Sequence, residues 1–205
     1  MEILQLLNQL GGDGSRYIRE RKRAVKHIVS EIYSPPRVTA AAKLLPELRC
    51  VPGFALDLTV NDEHGQAWDF DVAENRRRAR ERVIQEKPML LVGSPMCTAF
   101  SAWQHINNKK RDPSLVTREY TRAMVHIRFC MELYKLQHDA GRYFLHEHPA
   151  SAMSWAESAV KTIASMQGVQ VAIADQCMYE AADKVGDPIK KPTRFMTTAL
   201  ALLSR

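Results

Sequence analysis

The chain has 205 residues, 45% hydrophobic and 25% charged, with a formal charge of +6. That length suits one well-buried core, so a single domain over 1–205 is expected, with an N-terminal helical extension at 1–30 and a core at 31–205. No run approaches the roughly 18 apolar residues of a spanning helix, and the start lacks the basic-then-apolar order of a signal peptide. The expectation is therefore an intracellular protein, cytoplasmic or nuclear, with no membrane partner. Cys50, Cys97, Cys130 and Cys177 form no C-x-x-C pair, which argues against a disulfide framework and against a structural zinc site.

Apolar residues at Ile3, Leu6, Leu7 and Leu10 have helical spacing that stops at Gly11-Gly12-Asp13-Gly14. A basic helix is expected to follow to about Lys26. His27 to Tyr33 reads as a strand broken by Ser34-Pro35-Pro36, and Arg37 to Leu45 returns to helical composition. The next apolar run, Gly53 to Leu58, contains Asp57 near its end. A polar turn at Asn61 to Gly65 leads to Trp68-Asp69-Phe70-Asp71, and Ala73 to Gln85 is predicted helical.

Pro88 to Val92 has a buried-strand pattern and runs into Gly93-Ser94-Pro95-Met96-Cys97, with Thr98 to Gln104 placed to begin a helix. A basic loop at Asn107 to Pro113 precedes a long helix through Gln137. Arg142 to Leu145 is a further strand, ended by His146-Glu147-His148-Pro149. Ala156 to Met166 reads as a helix and Val169 to Ala174 as the last strand. Strands alternating with helices predict an α/β fold with a mostly parallel sheet covered on both faces, whose ligands gather at the carboxyl ends of the strands.

Two basic clusters accompany the net charge: Arg16, Arg19, Arg21, Lys22, Arg23 and Lys26, then Arg76, Arg77, Arg78, Arg80 and Arg82. Each reads equally as a solvated helix face or as a surface that contacts phosphates.

Cys97 follows a strand and a proline turn, and a helix N-terminus there would favour its thiolate. The segment Gly93 to Ser101 resembles the catalytic loop of cytosine-5 DNA methyltransferases, Gly-x-Pro-Pro-Cys-Gln-x-Phe-Ser. Gly93, Pro95, Cys97, Phe100 and Ser101 match, while Met96 stands for a proline and Thr98 for the glutamine. His146-Glu147-His148-Pro149 is similar to the family's Glu-Asn-Val or Glu-Asn-Pro element. The resemblance implies a Rossmann-like, class I S-adenosylmethionine-dependent methyltransferase fold, with Cys97 as nucleophile and Glu147 hydrogen-bonding the cytosine ring.

It also implies that His148 occupies the asparagine position and orients the loop, and that Pro95 and Ser101 lie on the substrate side. Glu31 to Pro36 has the position of the family's cofactor turn, which would place Tyr33, Ser34, Pro35 and Ser94 beside S-adenosylmethionine. Here prolines replace its glycines and donate no backbone N–H. Asp57 would accept from ribose hydroxyls, and Asp69, or the nearby Phe70 and Asp71, would flank the adenine. The tail from Asp175 to Tyr179 and Lys190 to Phe195 is similar to a late element of small, phage-like members. Lys191 or Arg194 would stand in for the arginine of an absent Gln-x-Arg-x-Arg.

His146 and His148 alternate with Glu147 on a strand, so the two imidazoles share a face and the acid points away. Two imidazoles fall short of a closed zinc site, and no metal is expected. The expected reaction is methylation of cytosine in DNA, duplex or single-stranded, after the base is flipped out. Little room is left for a target-recognition region, which implies weak sequence specificity or a protein partner that supplies recognition. RNA or a free nucleotide as substrate, a non-catalytic nucleic-acid-binding module, and a cysteine hydrolase pairing Cys97 with His146 or His148 are the alternatives.

Overall fold

A computed structural model describes residues 9–13, 27–44, 49–101 and 103–203, and the elements below are labelled in chain order within those ranges. The expected helix at 1–10, apart from its last two residues, and the first basic cluster lie outside the described residues.

Six strands form one sheet in the order β2-β1-β3-β4-β6-β5: β1 His27–Ile32, β2 Cys50–Leu56, β3 Leu90–Gly93, β4 Tyr143–Pro149, β5 Gln170–Asp175 and β6 Pro192–Thr197. The pairs β1–β2, β1–β3 and β3–β4 are parallel, whereas β6 runs antiparallel to both β4 and β5. The protein is therefore an α/β fold on a mixed, mostly parallel sheet, compatible with a Rossmann-like architecture.

The helices are α1 Val38–Leu44, α2 Ala73–Glu86, α3 Gln104–Asn107, α4 Pro113–Asp139 and α5 Ser158–Ala164. Helix α4 starts where Asp112 accepts the Ser114 N–H at 2.8 Å and Pro113 takes the first turn, where no intrahelical donor is needed. Its buried stripe of Ile127, Cys130, Met131 and Tyr134 packs with Ile32, Leu91 and Phe144 of the sheet. Glu31, one residue from Ile32 and so on the other face, is hydrogen-bonded to Thr39 of α1. Helices thus cover both faces, with α1 on β1 and β2, and α4 on β3 and β4.

Two expectations need correction. The sequence His146 to Pro149 does not end β4. It extends the strand, because Leu145 to Pro149 pair residue by residue with Thr197 to Thr193 of β6. The tail around Lys190 to Phe195 contains that sixth strand, which begins at a proline and draws its stability from non-local pairing with both β4 and β5.

Candidate active site

From β1 the chain moves outward to β2 and then returns across β1 to β3, so the winding reverses between β1 and β3. In open α/β sheets a ligand crevice lies outside the carboxyl ends of the strands at such a reversal. Gly93 closes β3 in register with Ile32 of β1 and His146 of β4. The next residues along the same edge are Tyr33, Ser94 and Glu147. Gly93 is required here: a Cβ at that position would come 2.1 Å from the Tyr134 hydroxyl, which stands over the strand end and lies 3.2 Å from His146 Nδ1.

After Gly93 the chain turns through the half-buried Ser94, whose N–H donates to Ile32 O at 3.3 Å, and the buried Pro95. Cys97 is a half-buried free thiol. The helix expected at Thr98 is a single 3-10 turn, Thr98–Phe100, closed by the Phe100 N–H on Cys97 O at 2.9 Å. Extended backbone at Ser101 ends it, and Gln104 Nε2 holds Thr98 O at 3.2 Å. Three residues align too few peptide dipoles to supply the helix-terminal field expected at the sulfur. Ser101 Oγ accepts the Trp103 N–H at 3.4 Å.

His148 lies beneath this loop. Its Nδ1 is 2.6 Å from Ser154 Oγ, and its ring meets Phe100 edge-on at 6.2 Å. Burial, reinforced by the nearby Lys191 charge, lowers the His148 pKa to about 4. The Met96 and Pro95 carbonyls approach the ring and oppose that shift without giving Nε2 a hydrogen-bond partner. His146, wholly buried beside Trp155 at 5.2 Å, is held well below the usual imidazole range by burial, and its Nε2 is also unpartnered. Both rings are neutral near pH 7.

Glu147 faces the other side of the sheet. It lines a cleft of about 620 Å³ with Arg37, Val38, Gln176, Tyr179 and Phe195, and its Oε1 is buried without a hydrogen-bond partner. Cys97 does not line that cleft. Its neighbours Met96 and Thr98 line a different one, of about 280 Å³, against Glu119 and Arg122 of α4. The structure therefore brings the Cys97 loop and Glu147 to adjacent strand ends, but turns the carboxylate toward the α1 face.

On the expected cofactor side, Tyr33 adopts a left-handed backbone (φ 57°) and packs on Phe70 at 4.7 Å. Its hydroxyl is 2.9 Å from His126 Nδ1, and His126 Nε2 is 3.1 Å from Asp71, which also pairs with Arg122. Burial drives the Tyr33 hydroxyl pKa far up and lowers that of His126. Ser34 donates its hydroxyl to Glu31 at 2.8 Å, next to the half-buried Pro35. Asp57 directly follows β2 and accepts the Thr59 N–H and hydroxyl on Oδ1, at 2.9 and 2.7 Å. Asp69 accepts the Asp71 N–H at 2.9 Å, and Phe70 is a core side chain.

Lys191 is exposed. The Arg194 guanidinium stacks 5.0 Å over Trp155, its Nε buried and unpartnered, opposite His148 in the β4–β6 pair.

Sequence reading assigned no role to Glu31. Its carboxylate is fully buried and accepts from the Ser34 hydroxyl, the Arg37 and Thr39 N–H groups and the Thr39 hydroxyl, which fixes the turn after β1 and caps the start of α1. An acid in a strand that also carries Ile28, Val29 and Ile32 was the available signal. The second arginine cluster is not a free basic face. Arg77 pairs with Glu74 and Glu81, Arg78 with Asp62 and Glu63, Arg80 with Glu132 and Arg82 with Glu86, while Arg76 donates to the Phe70 and Asp71 carbonyls. No protein-family model matches this chain, and no curated protein matches it.

Proposed function

We propose that the chain is an S-adenosylmethionine-dependent methyltransferase of Rossmann-like, class I type that methylates carbon 5 of cytosine in DNA through a covalent Cys97 adduct. One observation carries this reading. The Gly93 to Ser101 loop leaves β3 beside the winding reversal, and Glu147, with a buried and unpartnered carboxylate oxygen, stands on the adjacent β4 one residue past the Gly93–His146 pair. A carboxyl oxygen desolvated without a partner is costly in a protein interior, and a ligand donor relieves that cost.

The donor set partly fits the cofactor. Asp57 is an acid at the end of β2, beside the Tyr33 turn, where the Tyr33 N–H bonds to Leu56 O at 2.9 Å. It has the chemistry that ribose hydroxyls require. S-adenosylmethionine supplies a methyl group on a positively charged sulfur.

The chain's own groups do the rest. The Cys97 thiolate bonds to carbon 6 of a flipped cytosine, and the carbon 5–carbon 6 double-bond pair moves onto carbon 5. Glu147, carrying a proton, donates it to ring nitrogen 3 while its other oxygen accepts from the amino group, and the protonated ring takes up the negative charge that addition creates. The pair on carbon 5 bonds to the methyl, the former S–C pair staying on the departing sulfur, and carbon 5 then gives its proton to water. The electrons of that C–H bond restore the double bond, and the Cys97–carbon 6 bond breaks to release the thiolate.

A second reading, a nucleic-acid-binding module without turnover, is favoured by the turn after β1. The Tyr33 and Ser34 hydroxyls and the Arg37 N–H are committed to internal partners, and Pro35 and Pro36 have no N–H. Transfer of labelled methyl to mixed-sequence duplex DNA, single-stranded DNA and RNA separates the two. The methyltransferase reading expects label on carbon 5 of cytosine, lost with Cys97→Ala. The binding-module reading expects retention of nucleic acid with no label.

A further inference from the structure

Trp103 is 74% exposed, six residues beyond Cys97, whereas Trp68 is 3% exposed in the core and Trp155 is held under Arg194 with its indole N–H on Pro149 O at 2.9 Å. A large indole left in water is a frequent mark of a contact surface. Its backbone is hydrogen-bonded on both sides: the Trp103 N–H meets Ser101 Oγ, its carbonyl accepts the Asn107 N–H at 3.2 Å, and Gln104 is tied back to Thr98. The helical turns of α3 and Asn108–Lys110 follow without a break, so Asn107 and Lys110 fall on the Trp103 side, Lys110 about 10 Å along the axis.

Lys109, Lys110 and Arg118 are exposed and have no ion-pair partner among the described residues, whereas Arg111 is neutralised by Glu119 and Asp112 caps α4. This differs from the arginines of α2, which are matched by acids. An exposed aromatic close in sequence to unpaired cations suits a strand of nucleic acid, a ring for a base and charges for the phosphates on either side. A protein partner of matching chemistry would need a strongly acidic surface around an indole pocket.

We infer that Trp103, Lys109 and Lys110 form a docking surface for single-stranded or locally opened nucleic acid, Trp103 stacking on an unpaired base while the lysines hold the adjoining phosphates. The inference rests on the proposed reading only in taking the polymer as the substrate class of the nearby Cys97 loop.

Because Trp103 is the solvent-exposed indole of the three, tryptophan emission of the full chain reports on it directly. The titrant is a short oligothymidylate, which offers bases and phosphates but no cytosine, with heparin as a polyanion lacking bases. The expected result is quenching by oligothymidylate but not by heparin, binding that weakens as salt is raised, and affinity about tenfold or more lower in Trp103→Ala. Lys109→Ala with Lys110→Ala should flatten the slope of log affinity against log salt by about 1.4. Trp103→Phe, which keeps a smaller ring, should fall between wild type and alanine and guards against a folding artefact.

Equal quenching by heparin, unchanged affinity in a folded Trp103→Ala variant, or an emission shift that follows protein concentration and not oligonucleotide overturns the inference; the last outcome marks a protein interface. Quenching without methyl transfer leaves this surface standing and removes the enzyme. Methyl transfer to an oligonucleotide that leaves Trp103 emission unchanged does the reverse.

Discussion

Glu147 and His148 are neighbours with opposite surroundings, and each makes a prediction of its own. Glu147 keeps a buried carboxylate oxygen without a partner, a cost with no return in the folded chain. Glu147→Gln should therefore leave thermal stability unchanged or raised while methyl transfer falls about 100-fold or more. A stability loss with activity retained would make the acid structural. His148 titrates at about 4 in the folded chain, and an unfolded imidazole titrates near 6.5. Between those values the unfolded state holds more protons, so stability falls as pH falls, by about 1.4 kcal/mol per unit and about 3 kcal/mol in all. Burial of His146 and His126 acts in the same direction. The carboxylates held low by their partners, such as Asp71, respond only below about pH 4. Urea midpoints at pH 7 and pH 5 should therefore differ clearly, and equal midpoints would contradict neutral buried histidines. The alternation of His146, Glu147 and His148 across the sheet was legible from strand periodicity. The identity of what each side chain faces was not, because Ser154, Trp155 and Gln176 arrive from later elements.

At the scale of elements, the turn after β1 depends on one side chain. Glu31 receives four hydrogen bonds from Ser34, Arg37 and Thr39, joining strand, turn and α1. Glu31→Ala should cost on the order of 3 kcal/mol, because several buried donors lose their acceptor together. Glu31→Gln, which preserves one oxygen and the shape, should cost less. Denaturant unfolding of the two variants measures the difference, and an alanine variant as stable as wild type would show that the turn does not depend on this acid. Helix α2 was legible almost to the residue, Ala73 to Gln85 expected and Ala73–Glu86 found, because its composition and length are local properties. Strand β6 was not: no strand was expected after Val169 to Ala174, and this one exists through pairing with β4 and β5. The Cys97 turn failed differently, since helical composition after Thr98 yields to extended backbone at Ser101.

For the molecule as a whole, alternation of strand and helix was enough to give an α/β sheet, and the formal charge of +6 was correct as a sum. Its distribution was a tertiary fact. Arg78 finds Asp62 and Arg80 finds Glu132, so the densest arginine run is neutralised within the fold, whereas Lys109, Lys110 and Arg118 have no ion-pair partner among the described residues. The proposed reaction depends on addition of Cys97 to carbon 6 of cytosine. Fluorine at carbon 5 cannot leave as a proton, so a 5-fluorocytosine base should arrest the reaction with the thioether intact. The most direct measurement is the intact mass of the protein after incubation with S-adenosylmethionine and oligonucleotides carrying 5-fluorocytosine, as duplex DNA, single-stranded DNA and RNA. The account predicts a mass of protein plus oligonucleotide plus one methyl, attached at the Cys97 peptide and absent from Cys97→Ala. Folded protein that forms no adduct with any of the three, or an adduct that persists in Cys97→Ala, would contradict it.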